Sequence, residues 1–153
     1  MILEQQQLDV RSMLSFRGKV KQDSLPTVMR SMKEYAESQG RRATEGPISV
    51  TYAVEASPEG MVSDTEILLP ISGEVEANEM FAWKERLYIT NAVKLMYAGT
   101  PELFRAACEE MNVYVQEKKY VPITAGYVVT KGFDQLTGLI SMEVYMGISP
   151  NIL

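Results

Sequence analysis

The sequence contains no histidine and only one cysteine, Cys108, among its 153 residues. Without histidine there can be no Ser-His-Asp triad, no histidine proton shuttle and no zinc site that relies on imidazole ligands. A single cysteine excludes a disulfide within the chain, and its place on the apolar stripe of a predicted helix favours an inert buried thiol. We therefore expect no metal and no cofactor, and we assign no catalytic residue.

The chain also lacks a basic stripe and a long apolar run. Its net charge of −5 and its sequence pI near 4.9 argue against a nucleic-acid partner. No uncharged apolar segment approaches the roughly 20 residues of a membrane helix, so no membrane partner is expected. Residues 1–7 show neither the basic region nor the apolar region of a secretory signal. These absences predict a cytoplasmic protein.

Two helices are predicted from capping residues and apolar spacing. The first begins after Ser24 as N-cap and ends at Gly40, with apolar side chains at helical spacing between them. The second has Thr100 as N-cap and Pro101 at its first position, and it runs to about Glu117.

Strands are predicted where apolar and polar residues alternate, in the segments 48–54, 67–71, 92–98, 121–129 and 139–148. In the last segment Val144, Met146 and Ile148 form the more apolar row, which we expect to face the helices. Glu143 and Tyr145 then project from the opposite face. An acidic connector with the only tryptophan is expected at 73–85.

An internal repeat organises these elements. Segment 46–52 is similar to 121–127 at an offset of 75 residues, segment 65–72 to 142–149 at 77, and the two helix caps are 76 apart. This predicts one domain, 1–153, made of two strand–helix–strand–strand repeats at 8–75 and 86–150. The expected fold class is α+β, with a curved, mainly antiparallel sheet, two helices on one face and a groove on the other.

The duplicated pattern, the strand through Tyr52, the turn at 97–102 and the closing segment 142–148 resemble the GyrI-like superfamily. This superfamily includes effector-binding domains of multidrug-responsive activators and stand-alone small-molecule-binding proteins. The resemblance covers nearly the whole chain and implies a stand-alone member, since no helix-turn-helix segment is present. It implies an aromatic-lined pocket with a buried glutamate two residues before a tyrosine. That tyrosine is Tyr127 here, and Ala125 stands in the place of the acid.

The candidate ligand-binding residues are aromatic side chains and glutamates of the predicted strands and connector: Tyr52, Glu66, Trp83, Tyr97, Tyr127, Glu143 and Tyr145. In the repeat Glu66 matches Glu143 and Tyr52 matches Tyr127, so two acids across the groove would hold a cation or share a proton. The alternative is that both glutamates are solvent-facing or edge-strand charges, and that the tyrosines pack in the core with their hydroxyls bonded to the backbone. Trp83 is interpreted either as a lid over the groove or as an anchor for its loop.

Three functions are compatible with these residues. The leading hypothesis is a non-enzymatic protein that captures a small apolar or cationic molecule in the groove, with Glu143 as the favoured charge. The alternative is an adaptor or inhibitor that binds a protein partner and whose groove is closed by side chains. The third is a hydrolase that uses Glu143 or Glu66 with a tyrosine. Exposed sheet edges are compatible with a monomer or a homodimer.

Overall fold

The computed structural model describes residues 1–150 and has two α-helices and six strands in that range. In chain order the elements are β1 (Ile2–Lys21), α1 (Leu25–Ser38), β2 (Ile48–Ser57), β3 (Gly60–Pro70), β4 (Phe81–Gly99), α2 (Pro101–Glu117), β5 (Tyr127–Phe133) and β6 (Ile140–Gly147). The predicted α+β class is confirmed. The described chain divides into a first unit, Val10–Leu87, and a second unit, which contains Met1–Asp9 and residues 88–150.

In the first unit β3 lies between β1 and β2 and pairs with both in antiparallel orientation. One face of β3 packs on α1, because Ile67 and Leu69 join Met32 and Ala36 of the helix in one apolar cluster. Burial of these side chains supplies the main favourable free energy of this layer. Since side chains alternate along a strand, Glu66 and its neighbours of the same parity project from the other face.

The second unit has the same arrangement, with β6 between β4 and β5 in antiparallel pairs. Val144 and Ile148 pack against Met111 and Val115 of α2, and Met146 borders the same cluster. The apolar row predicted to face the helices therefore does so. Glu143 and Tyr145 occupy the opposite face of β6.

Both helices lie where the sequence places them, although their caps differ from expectation. A 3₁₀ turn, Gln22–Ser24, precedes α1, and Ser24 has helical dihedral angles of φ −89° and ψ −10°. Its hydroxyl therefore caps no amide. Thr100 is extended before α2 and also makes no side-chain cap. Each helix has a proline in its first turn, and a proline has no amide hydrogen that would need a capping acceptor.

The strand boundaries differ more from the prediction. β4 begins at Phe81, so residues 81–85 of the predicted connector are strand. The physical reason is local, since the Asn78 side-chain oxygen accepts the amides of Met80 and Phe81 and closes a turn just before the strand. β5 begins only at Tyr127, and the segment before it contributes one isolated bridge at Pro122. Proline there cannot donate to a continuous ladder.

The two units have similar hydrogen-bond registers around their central strands. Val50 of β2 lies opposite Glu66, and Val129 of β5 lies opposite Glu143. Two residues further on, both strands have a bulge, and the bulged residues are Tyr52 and Lys131.

The shared registers correct one equivalence expected from the sequence. Tyr127 lies opposite Tyr145, as Ile48 lies opposite Leu68, so Ile48 is the counterpart of Tyr127. Tyr52 corresponds to Lys131 and not to Tyr127. The similar residues of segments 46–52 and 121–127 led to an alignment that is wrong by a few positions. Sequence similarity alone does not show which residues pair with the central strand.

Candidate functional site

The first unit holds a carboxylate whose two oxygens are both engaged. Tyr52 donates its hydroxyl to Glu66 Oε1 at 3.0 Å, and Lys84 Nζ lies 2.6 Å from Oε2. Ser15 donates its hydroxyl to Oε2 at 3.4 Å. These four residues are called the Glu66 cluster below. Its glutamate side chain is 9% exposed, whereas that of Lys84 is 47% exposed.

The tyrosine of this cluster also contacts a neighbouring ion pair. Arg17 lies with its guanidinium carbon 4.0 Å from the centre of the Tyr52 ring. The same guanidinium donates two hydrogen bonds of 3.1 Å to Asp64. This bidentate pair raises the pKa of Arg17 and lowers the pKa of Asp64. Arg17 is therefore neutralised by Asp64, whereas Lys84 bonds directly to Glu66.

The second unit holds the corresponding cluster on β6 and its neighbours. Tyr145 donates its hydroxyl to Glu143 Oε1 at 2.9 Å. Lys94 Nζ lies 3.4 Å from Oε2, and Lys131 Nζ lies 3.8 Å from Oε1. These four residues are called the Glu143 cluster. The side chains of Glu143 and Lys94 are 13% and 15% exposed, and that of Lys131 is 46% exposed.

The electrostatics of the Glu143 cluster favour charged Lys94 and neutral Tyr145. Burial alone lowers the pKa of Lys94, but its hydrogen bond with Tyr145 and the charge of Glu143 raise that pKa above its ordinary value. Burial and the hydrogen bond to Glu143 raise the pKa of Tyr145. With two lysines against one glutamate, this cluster carries a net positive charge.

The structure thus brings the predicted residues together in two pairs, Tyr52 with Glu66 and Glu143 with Tyr145. The interpretation of the glutamates as solvent-facing charges does not hold, because both are largely buried. The lysines were missed by sequence reasoning. The strand pairing would have revealed them, because Lys94 lies directly opposite Tyr145 and Lys131 occupies the bulge beside Glu143. The sequence alone does not show this pairing.

The remaining predicted residues lie elsewhere. Tyr97 donates its hydroxyl to the Thr100 carbonyl at 2.5 Å and its ring lies 5.4 Å from that of Phe104, so it anchors the start of α2. Trp83 donates its indole N–H to Ser12 Oγ at 3.1 Å and packs against the first-unit core. Tyr127 is half-buried at the first position of β5. Ala125 precedes that strand and is also half-buried.

Other chemistry in the described residues is limited. Residues 1–150 contain no group of three or more acidic or cysteine side chains placed to hold a metal ion. Burial raises the pKa of the half-buried Cys108 thiol, which disfavours the nucleophilic thiolate. In the part of the chain that the structure describes, no helix has both the length and the hydropathy to span a bilayer.

The comparisons with known proteins show the fold. No family model matches the sequence, and no curated protein matches it. The crystal structure of the EcmrR C-terminal domain matches with a TM-score of 0.67 and 13% identity, over 96% of this chain and 98% of that one. The EcmrR chain in the cryo-EM structure of its DNA complex matches with a TM-score of 0.72 and 14% identity. The match spans 57% of the length of that EcmrR chain.

Two further structures have lower scores over nearly the whole chain. SAV2435 bound to tetraphenylphosphonium has a TM-score of 0.53 and 9% identity, over 97% of this chain and 95% of that one. A hydrolase encoded by lin2189 from Listeria innocua has a TM-score of 0.58 and 9% identity, over 94% and 91%. This chain therefore has the fold of the EcmrR C-terminal domain. The predicted resemblance to the GyrI-like superfamily is confirmed at the level of the fold.

Proposed function

We propose that this chain is a ligand-binding domain that captures a small aromatic cation, with Glu66 as the acid and Tyr52 as an aromatic contact. The observation that carries the proposal is the ion pair of Glu66 with Lys84, in which a buried carboxylate is neutralised by one half-exposed ammonium. Such an ammonium can move into water when another cation takes its place. Lys84 then occupies the position that the charge of the ligand takes in the complex.

This assignment moves the charge from Glu143, which the sequence favoured, to Glu66. Glu143 faces two lysines, and Lys94 is too buried to leave the carboxylate for water. A ligand cation at Glu143 would therefore meet a site that is already positive. At Glu66 the other partners are the neutral hydroxyls of Ser15 and Tyr52, so removal of Lys84 leaves a net negative site.

The chemistry of the Tyr52 side chain fits the same ligand class. Its ring accepts the Arg17 guanidinium at 4.0 Å, and the residue is 43% exposed. A ring that already binds a delocalised cation on one side offers the quadrupole needed for an aromatic or alkylated cation. The likeness in fold to SAV2435 bound to tetraphenylphosphonium supports the proposal without assigning that ligand to this chain.

The test compares two probes of the same shape and opposite charge, tetraphenylphosphonium and tetraphenylborate. Ligand that binds only the folded state raises the melting temperature by mass action. We expect a rise with the phosphonium and none with the borate, and we expect Glu66→Gln to abolish the rise. Glu59→Gln is the control, because Glu59 pairs with Lys21 at the surface of the same unit. Equal rises with both probes, or a full rise in Glu66→Gln, would contradict the proposal.

A second candidate, a protein–protein module, is favoured by one observation. The end of β5 and the loop that follows it expose three large apolar residues, Phe133, Leu136 and Leu139, and Leu136 is 97% exposed. An exposed apolar group of this kind is typical of an interaction surface. If this loop joins two copies, sedimentation will show a dimer that dissociates in Leu136→Ser. A monomer at high protein concentration would exclude this loop as a dimer interface.

A further inference from the structure

The first unit contains a cavity on the helix side of β3. It lies between α1, β3 and the segment 43–47 and has a volume of about 350 Å³. Its apolar lining consists of Met29, Met32, Ala43, Pro47, Ile67 and Leu69. A volume of this size and a mostly apolar lining are typical of sites for small molecules.

The rim of this cavity carries an excess of positive charge. Arg30 and Lys33 are exposed residues of α1 that lie three positions apart and so on one side of the helix. Neither has an ion-pair partner within 4.0 Å among residues 1–150. Glu45 is the single acidic residue of the lining. Two cations without an ion-pair partner in the described part of the chain therefore lie beside an apolar cavity.

The second unit does not repeat this charge pattern. The two helices can be aligned by their buried residues, Met32 and Ala36 in α1 with Met111 and Val115 in α2. In this alignment Glu109 corresponds to Arg30, and the uncharged Asn112 corresponds to Lys33. The cationic rim is therefore a feature of the first unit and is not shared by the second.

We propose that this cavity is a second ligand site, which binds a small amphipathic carboxylate. The apolar part of the ligand packs against Met29 and Met32, whose flexible and polarisable side chains adapt to different shapes. Its carboxylate pairs with Arg30 in a bidentate geometry and with Lys33. The site is separate from Glu66, because Ile67 and Leu69 face the cavity while Glu66 projects from the other face of β3.

The methionine methyl groups provide a direct readout with the full chain. With carbon-13 on these methyls, titration of decanoate is expected to shift the signals of Met29 and Met32 and to leave those of Met111, Met142 and Met146 in place. Each signal is assigned by a Met→Leu substitution. Decyltrimethylammonium, which has the same chain and the opposite charge, should not shift them. Shifts spread over all methionines, or equal shifts with both probes, would overturn the proposal.

A matched pair of variants tests the charges without disturbing the core. The double variant Arg30→Gln with Lys33→Gln should weaken decanoate binding at least about tenfold, because it removes two charge-assisted contacts. The control, Arg42→Gln with Arg105→Gln, removes the same charge at exposed positions outside the cavity. Equal weakening in both variants would show a general effect of net charge. Glu66→Gln should leave decanoate affinity unchanged, which separates this site from the one proposed above.

Discussion

Glu66 and Glu143 occupy largely buried strand positions, where an apolar side chain would avoid the cost of burying a charge. Ion pairs at such sites gain little net stability, because desolvation offsets the Coulomb attraction. The same pairs are strongly destabilising when one partner is removed and the other stays buried. The two clusters differ in this respect, since Lys84 can reach water and Lys94 cannot.

This difference predicts unequal losses of stability. Glu143→Gln leaves the buried ammonium of Lys94 without its counter-charge and should lower the free energy of unfolding by about 2 kcal/mol. Glu66→Gln lets Lys84 extend into solvent and should lower it by about 1 kcal/mol or less. Urea unfolding of the two variants measures both values. Equal losses would contradict the burial argument.

Alkaline pH should weaken the fold through the Glu143 cluster. The pKa values of Tyr145 and Lys94 are raised in the folded state, so their contribution is complete below the unfolded values of about 10. It is lost as the pH rises through the folded pKa values. Stability measured by urea from neutral to alkaline pH should fall above about 10. Tyr145→Phe should reduce the slope, and an unchanged slope would exclude the cluster as its source.

At the scale of elements, both helices end at a residue with a positive φ angle, but the residue is glycine after α1 and lysine after α2. Gly40 has φ +75° after α1, and Lys119 has φ +58° after α2. The next residues, Arg41 and Tyr120, donate their amides to the carbonyls of Ala36 and Val115 in the last turns. The left-handed conformation suits glycine but strains a residue with a Cβ.

Opposite substitutions at these two ends should therefore have opposite effects. Gly40→Ala should lower the free energy of unfolding by about 1 kcal/mol, although no atom lies within 4 Å of the added Cβ. Lys119→Gly should raise it by up to about 1 kcal/mol because it relieves the same strain. Denaturant midpoints measure both changes. Changes of the same sign would contradict the account of the helix ends.

The elements also show what a sequence can predict. The helices follow from local signals, since the prolines and Gly40 act within one turn of the helix ends. The start of β4 depends on a turn closed by the Asn78 side chain, which the alternation of apolar and polar residues does not show. The late start of β5 depends on pairing with a distant strand, which leaves little trace in a short window of residues.

At the scale of the whole molecule, the sequence predicted a repeat and a candidate site with two glutamates. Glu143 and Tyr145 were chosen from alternation along the last strand, and Glu66 and Tyr52 from the similarity between the two halves of the sequence. Their lysine partners were not chosen, because a lysine on an alternating strand is typical of a solvent-facing position. The register also decides which residues correspond, and it pairs Tyr52 with Lys131. Which of the two acids is the better candidate for a ligand cation therefore depends on their partners, which the sequence alone does not reveal.

The most direct test of this account is calorimetric titration of tetraphenylphosphonium into the wild type and the variants Lys84→Met, Glu66→Gln and Lys21→Met. If Lys84 occupies the position of the ligand charge, Lys84→Met should bind the probe several-fold more tightly and Glu66→Gln should bind it at least about tenfold more weakly. Lys21→Met removes an exposed lysine of the same unit and should match the wild type. Unchanged or weaker binding in Lys84→Met would contradict the central claim.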